Sequence, residues 1–191
     1  MSEIPLPYPI KLDERFRLEL LGPESAEELD RFFMANPHLG EHDRYFAEKT
    51  GNIAAIREGL IKVQQRVHQG LSLTCIGRYD GEIATSVAFG IFPDHRAALL
   101  GYFAAKKFEG QHLVTRTCRY VLSHGFDPRR PVDAVWASIS PENVRSQYVS
   151  HALGFVAAKT MGMVAPACVP RTNPEGVMHV LIREAWQVRA E

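Results

Sequence analysis

Two β-rich runs, Leu71–Arg78 and Glu82–Phe92, flank an Asp80-Gly81 pair in this 191-residue chain. Asp-Gly supplies the positive φ angles of a tight hairpin turn, so the two runs are held antiparallel. A third run, Ala97–Phe103, follows within a few residues and extends the hairpin into a meander. The pattern then changes. Val114, Thr117, Cys118, Val121 and Leu122 recur with helical period and Gly125 ends that element, after which Val132–Ile139 is a strand with Trp136 in its middle. Asn143 to Leu153 is a helix closed by Gly154, and Val156–Val164 and Val177–Ala185 are the last strands. A meander that passes into alternating strands and helices predicts a mixed sheet with helices on both faces.

The first half completes that order. Ile4 to Pro9 is proline-rich and extended, and Phe16–Leu20 alternates apolar and charged residues as a half-buried strand does. Gly22-Pro23 ends it. Ser25 and Glu28 have capping-box spacing, which predicts a helix from there to about Met34. Asn36 to Thr50 carries Pro, two Gly and mixed charges and reads as a loop. Ile53, Ile56, Leu60, Val63 and Val67 form one face of an amphipathic helix that Gly70 stops. The expectation is a single α/β domain over 1–191, with residues 1–15 as an extended lead-in. Its order is β-α-α-β-β-β-α-β-α-β-β, with about seven strands in one sheet.

Composition excludes several function classes. Lys+Arg and Asp+Glu both number 22, so no global field draws nucleic acid or an anionic membrane. Arg116, Arg119 and Tyr120 read as the solvated face of a helix rather than a nucleic-acid platform. Cys75, Cys118 and Cys168 are far apart in apolar surroundings, which fits buried thiols in a reducing compartment and neither a disulfide framework nor a metal site. Met1-Ser2-Glu3-Ile4-Pro5 has no basic region and no apolar run, so no signal peptide is expected. No apolar run approaches the ~18 residues of a membrane span. A soluble cytoplasmic chain is the expectation.

Two segments carry chemistry. Lys106-Lys107-Phe108-Glu109-Gly110-Gln111-His112-Leu113-Val114-Thr115 leaves a strand, passes one glycine and enters a helix. Unpaired amides and the helix dipole make such a start an anion site, although taken alone the segment reads rather as an ordinary strand-to-helix turn with solvated lysines. It is neither a Walker P-loop nor a G-x-G-x-x-G turn. The second segment is Ser140-Pro141-Glu142-Asn143-Val144-Arg145-Ser146, followed by Ala152-Leu153-Gly154-Phe155, in which Asn143 caps its helix. His38-Leu39-Gly40-Glu41-His42 matches the H-x-x-E-H pattern of inverted zinc proteases, but Pro37 and Gly40 oppose the helix that zinc ligation needs, so the match is read as chance.

Both segments, in this order, resemble the GNAT superfamily and within it the ribosomal-protein N-terminal acetyltransferase group, from Phe16 to Trp186. The family writes its pyrophosphate loop [QR]-x-x-G-x-[GA]. Here it reads Lys107-Phe108-Glu109-Gly110-Gln111-His112, which keeps the glycine and replaces the last small residue by His112. The group's P-[DE]-N-x-x-S run is Pro141-Glu142-Asn143 with Ser146, and its L-G-F closure is Leu153-Gly154-Phe155. The Leu-Glu-Leu-Leu strand before Gly-Pro-Glu-Ser and the terminal Arg183-Glu184-x-Trp186 agree as well.

The resemblance implies acetyl-CoA as co-substrate and a primary amine as acceptor, with direct attack and no acyl-enzyme. The fold's splayed strands, Leu99–Ala105 and Val135–Ser140, would hold the pantetheine. Phe103 or Ala104 would supply the amide that holds the thioester oxygen, and Ala105 beside them belongs to the cofactor site. Lys107, Gly110, Gln111, His112, Leu113 and Val114 would hold the pyrophosphate, and Asn143 and Ser146 complete the cofactor site. The tyrosine that often protonates the leaving thiolate falls at Ser150 here, and Tyr148 lies about 200° around the helix from it. The ribosomal group instead offers Ser146 as the acid, on the same helical face as Ser150. Glu41, His42 and His95 are the candidates for the base, beside a water relay. A protein or peptide N-terminus is the expected acceptor. The alternatives are a small-molecule amine such as a polyamine or antibiotic, or a GNAT-fold module without catalysis. No metal is implied, and the chain is expected as a monomer or homodimer.

Overall fold

The computed structural model describes residues 8–41, 48–170 and 175–190. One sheet of eight strands runs through it in the order β1-β2-β3-β4-β5-β6-β8-β7. The strands are β1 (Ile10–Lys11), β2 (Phe16–Glu19), β3 (Cys75–Tyr79), β4 (Glu82–Phe92), β5 (Ala97–Ala104), β6 (Ala134–Ile139), β7 (Val156–Ala157) and β8 (Val177–Ile182). The helices are α1 (Ala26–Ala35), α2 (Ile53–His68), α3 (Leu113–Gly125), α4 (Val144–Leu153) and α5 (Arg183–Ala190). All neighbouring strands are antiparallel except β5 and β6, which are parallel.

The sheet has one strand more than expected. Ile10 and Lys11 pair with Leu18 and Arg17 inside the stretch read as a lead-in, and two residues are too short for alternation to show. At the other end β7 is only two residues and passes into a 3-10 turn at Ala158–Met161. β8 stops at Ile182, and α5 replaces the expected strand to Ala185. Two tertiary contacts fix that switch. The Trp186 ring stacks on Phe126 at 6.2 Å, and the Arg183 guanidinium donates to the carbonyls of Phe126, Arg130 and Val132.

The capping box also fails. Ser25 is the N-cap of α1 but makes no side-chain cap bond. Glu28 instead takes two hydrogen bonds from the buried Arg78 guanidinium of β3, at 2.6 and 2.7 Å. A bidentate pair with a guanidinium is stronger than a single bond from a backbone amide, and it holds α1 against the sheet.

Strand alternation sorts the core onto two faces. On one, Val87, Phe89, Leu100, Val135 and Leu181 pack under Leu113, Cys118, Val121 and Leu122 of α3 and Leu153 of α4. Fully buried side chains such as Phe89 and Leu122 each contribute about 1.5–3 kcal/mol. The opposite face carries two separate clusters. Leu21, Phe33, Ile56 and Leu60 cover Ile76 and Ile83, while Ala158 and Val169 cover Ala97, Trp136 and Val180. Cys75 and Cys118 are buried as expected, with burial pushing the Cys75 thiol up to about 12, whereas Cys168 is only half-buried.

What positions the site is a fork. β5 pairs with β6 through three residue pairs only, from Ala97↔Ala134 to Leu99↔Trp136. β5 continues along β4 as far as Ala104↔Thr85, and β6 continues along β8 as far as Ile139↔Val177. Beyond Leu99 and Trp136, two strand edges therefore face each other without a ladder between them.

Candidate active site

A cleft of about 660 Å³ opens between the prongs of the fork. Leu100–Ala104 of β5 and Ala137–Ile139 of β6, with Ser140 after it, form its walls, the starts of α3 and α4 close one side, and His38, Leu39 and Glu41 border the other. It therefore joins the two faces of the sheet. Ser138 lies on its wall with a buried Oγ that has no hydrogen-bond partner among the described residues.

The β5 amides divide by alternation. The Ala105 N–H bonds the Ala84 carbonyl on β4 at 2.9 Å. In an antiparallel ladder this turns the Phe103 amide towards β4 as well, and the amides of Tyr102 and Ala104 towards the open edge. Ala104 thus offers the cleft its N–H, while Phe103 offers its ring, stacked on Phe32 at 5.4 Å. Ala105 is spent on β4, its side chain is buried in the core, and it does not reach the cleft.

The loop into α3 takes left-handed backbone at two places, Gly110 (φ +79°) and His112 (φ +57°). A small residue suits the second position because side-chain-bearing residues rarely adopt that region; histidine is among those that tolerate it. The His112 ring is exposed at the cleft rim, and His112 makes no side-chain cap bond to α3. The first bond of the helical ladder runs from Arg116 N–H to His112 C=O, at 3.0 Å. The amides of Leu113, Val114 and Thr115 precede that ladder and have no partner within it. The side chains of Leu113 and Val114 are buried, so backbone is what they present.

Lys107, expected at the pyrophosphate, has its side chain engaged elsewhere. Its Nζ bonds both oxygens of Glu82 at 2.8 and 2.9 Å and sits over the Phe108 ring, in a separate depression shared with Arg15, Asp80 and Gln111. Lys107 and Gln111 therefore turn their side chains away from the cleft. Among the described residues, the Lys or Arg lining the cleft is Arg145, whose guanidinium bonds Glu109 at 2.7 Å; Lys106 and His38 also flank that carboxylate, at 3.3 and 3.8 Å.

At α4 the cap is complete. Asn143 Oδ1 accepts the Ser146 N–H at 3.0 Å. The Tyr102 hydroxyl donates to the Ser146 carbonyl at 2.8 Å and ties α4 to β5 across the fork. Burial, chiefly, holds the Tyr102 phenol well above its ordinary range, so it stays a donor. Ser146 lines the cleft. Ser150 does not, although it lies one turn on: it is 1% exposed and its Oγ lies 3.2 Å from His179 Nδ1. Burial, and then His151, pulls the His179 imidazole below its usual 6.5. Tyr148, expected to point elsewhere, stands 72% exposed at the rim and lines the cleft mouth.

Of the base candidates, Glu41 borders the cleft. His95 sits in a 3-10 turn between β4 and β5, at the far end of β5 from Ala104, and cannot serve. His42 lies outside the described residues. The H-x-x-E-H run begins in a 3-10 turn, Pro37–Glu41, in which His38 Nε2 lies 3.4 Å from the Ala104 carbonyl. Among the described residues no group of three His, Cys, Asp or Glu is placed to hold a metal.

Residues 15–156 match the family model described as an acetyltransferase (GNAT) domain. The chain belongs to the GNAT acetyltransferase family. A Bacillus subtilis (strain 168) protein, "Putative ribosomal N-acetyltransferase YdaF", is 26% identical over 151 residues, which span 78% of this chain and 82% of that one. The GNAT fold also appears in a ribosomal L7/L12 α-N-protein acetyltransferase, RimL, solved with coenzyme A. That structure is 15% identical, with a TM-score of 0.75 over 93% of this chain and 99% of its own. The microcin C7 self-immunity acetyltransferase MccE, solved with acetyl-CoA and AMP, has a TM-score of 0.74 at 17% identity, over 93% and 98%. No described helix of this GNAT chain is long and apolar enough to cross a membrane.

Proposed function

We propose that this GNAT chain transfers the acetyl group of acetyl-CoA to the amine of a protein or peptide N-terminus, in the cytoplasm. The observation that carries the reading is a parallel strand pair that parts after three residue pairs, directly beside an uncapped helix start. An open β edge suits the amide-bearing pantetheine, and the α3 amides suit its pyrophosphate. The resident groups fit such a molecule: an apolar-walled cleft, unpaired amides at Leu113–Thr115, and open space beside Gly110. The relatives' names, for ribosomal-protein acetylation and for coenzyme A, point the same way.

The residues divide the work. The Ala104 amide stabilises the thioester oxygen as the acceptor nitrogen adds to the carbonyl carbon. The carbon–sulfur bond then breaks, the amide forms, and Ser146 gives the departing sulfur a proton that the amine's lost proton replaces through water. Glu41 borders the cleft, and its carboxylate would draw in a cationic amine.

MccE, as similar in fold as RimL, keeps a small-molecule amine as the second reading. Incubation with acetyl-CoA and a panel of free N-terminal peptides, polyamines and aminoglycosides decides between them, with CoA thiol release and product mass as readouts. Acetylated peptides are expected. Transfer only to small amines overturns the acceptor assigned here.

A further inference from the structure

Glu109 places a carboxylate in the loop where a diphosphate has to dock, one residue before Gly110. It does not stand alone. Arg145 reaches it from the second residue of α4, at 2.7 Å, so the bridge joins the loop after the β5 prong to the helix after the β6 prong. Both residues line the cleft. Lys106 sits at 3.3 Å and His38 at 3.8 Å from the same carboxylate. The bridge is wet on one side: the Arg145 side chain is 66% exposed and that of Glu109 is 23% exposed. An exposed pair of this kind is weak and exchanges readily.

Resting on the acetyl-CoA reading above, we propose that Glu109 is a stand-in anion. It holds Arg145 beside the α3 amides until a phosphate of the incoming CoA takes the guanidinium over. Arginine suits the exchange because its planar fork binds carboxylate and phosphate with the same two-bond geometry. Lys106 remains at Glu109 after Arg145 leaves, so the carboxylate keeps a counter-charge and the exchange strands no ion. Glu109 therefore works against cofactor affinity, and Arg145 works for it.

The predicted sign is uncommon for a residue lining a substrate cleft. Glu109→Gln frees Arg145 and removes a like charge beside the diphosphate, so it tightens acetyl-CoA binding about 3- to 10-fold. Arg145→Gln weakens it by a similar factor, and on that background Glu109→Gln tightens binding clearly less than it does in the wild type, because only removal of the like charge is left to act. S-acetylpantetheine, which lacks the phosphates, binds wild type and Glu109→Gln alike. Calorimetric titration of the four proteins with both thioesters reads all of this. Unchanged or weaker acetyl-CoA binding by Glu109→Gln, in a wild type that does bind it, overturns the exchange and leaves the acetyltransferase reading intact. Equal tightening towards S-acetylpantetheine also overturns it, since the bridge would then act as a steric bar. A wild-type chain that binds no acetyl-CoA takes down both readings.

Discussion

Two helices begin at the same cleft and begin differently. α4 starts from Asn143, whose side chain accepts the Ser146 amide, and the Ser146 carbonyl in turn takes the Tyr102 hydroxyl. α3 starts from His112, in left-handed backbone and without a side-chain cap, and leaves three amides ahead of its ladder. At the start of α4 the protein itself bonds the Val144 and Ser146 amides, which suits a residue that must hold one position, Ser146. The start of α3 is left unsatisfied, and that is the condition for binding an external anion.

Replacing Ser146 tests the capped side most severely. Ser146→Ala lowers turnover at saturating substrates on the order of 100-fold, the lower end for a general acid, while the acetyl-CoA affinity stays within about twofold. Full turnover in that variant removes Ser146 from the chemistry. Asn143→Ala separates cap from ligand: it costs ~1 kcal/mol of stability in thermal or urea unfolding, with cofactor binding little changed. A large loss of binding without a loss of stability would mean that Asn143 serves the ligand and the two helix starts are alike.

His112→Gly acts on the open side and has a smaller effect. Relief of the left-handed backbone and the extra freedom of the unfolded chain oppose each other, so stability changes by less than ~1 kcal/mol. Acetyl-CoA affinity rises if the ring crowds the phosphate and falls if the ring binds it, so the titration fixes its role.

The smallest effect concerns Ser150, the serine that left the cleft. His179, its partner, has its folded value below 6.5. Between the two values the unfolded chain binds a proton that the folded chain does not. Stability therefore falls as pH drops through that window, and it is fully present above 6.5. His179→Asn flattens the slope over that interval; an unchanged slope would show that the imidazole titrates freely.

The same contrast explains what could be read beforehand. The hairpin at Asp80-Gly81, the cap at Asn143 and the glycine at 110 are local features, and local residues announce them. Ser25–Glu28 looked equally local, yet Arg78, fifty residues away, takes Glu28 from the capping box. Lys107 and Lys106 are adjacent, and only the fold shows that one turns to Glu82 while the other faces Glu109. Tyr102 and Ser138 carried no motif at all. Their signal was strand parity at a fork, and the length of the β5–β6 ladder cannot be read from either strand alone.

The open helix start is the centre of the account, and titration of the purified chain with acetyl-CoA and with free CoA tests it directly, alongside Gly110→Glu. That substitution puts a side chain on left-handed backbone and a carboxylate at the anion site. The account predicts micromolar binding of both ligands by the wild type and a loss of about 100-fold in the variant, equivalent to about 2.7 kcal/mol. Binding of neither ligand by the wild type, or equal binding by the variant, would contradict it.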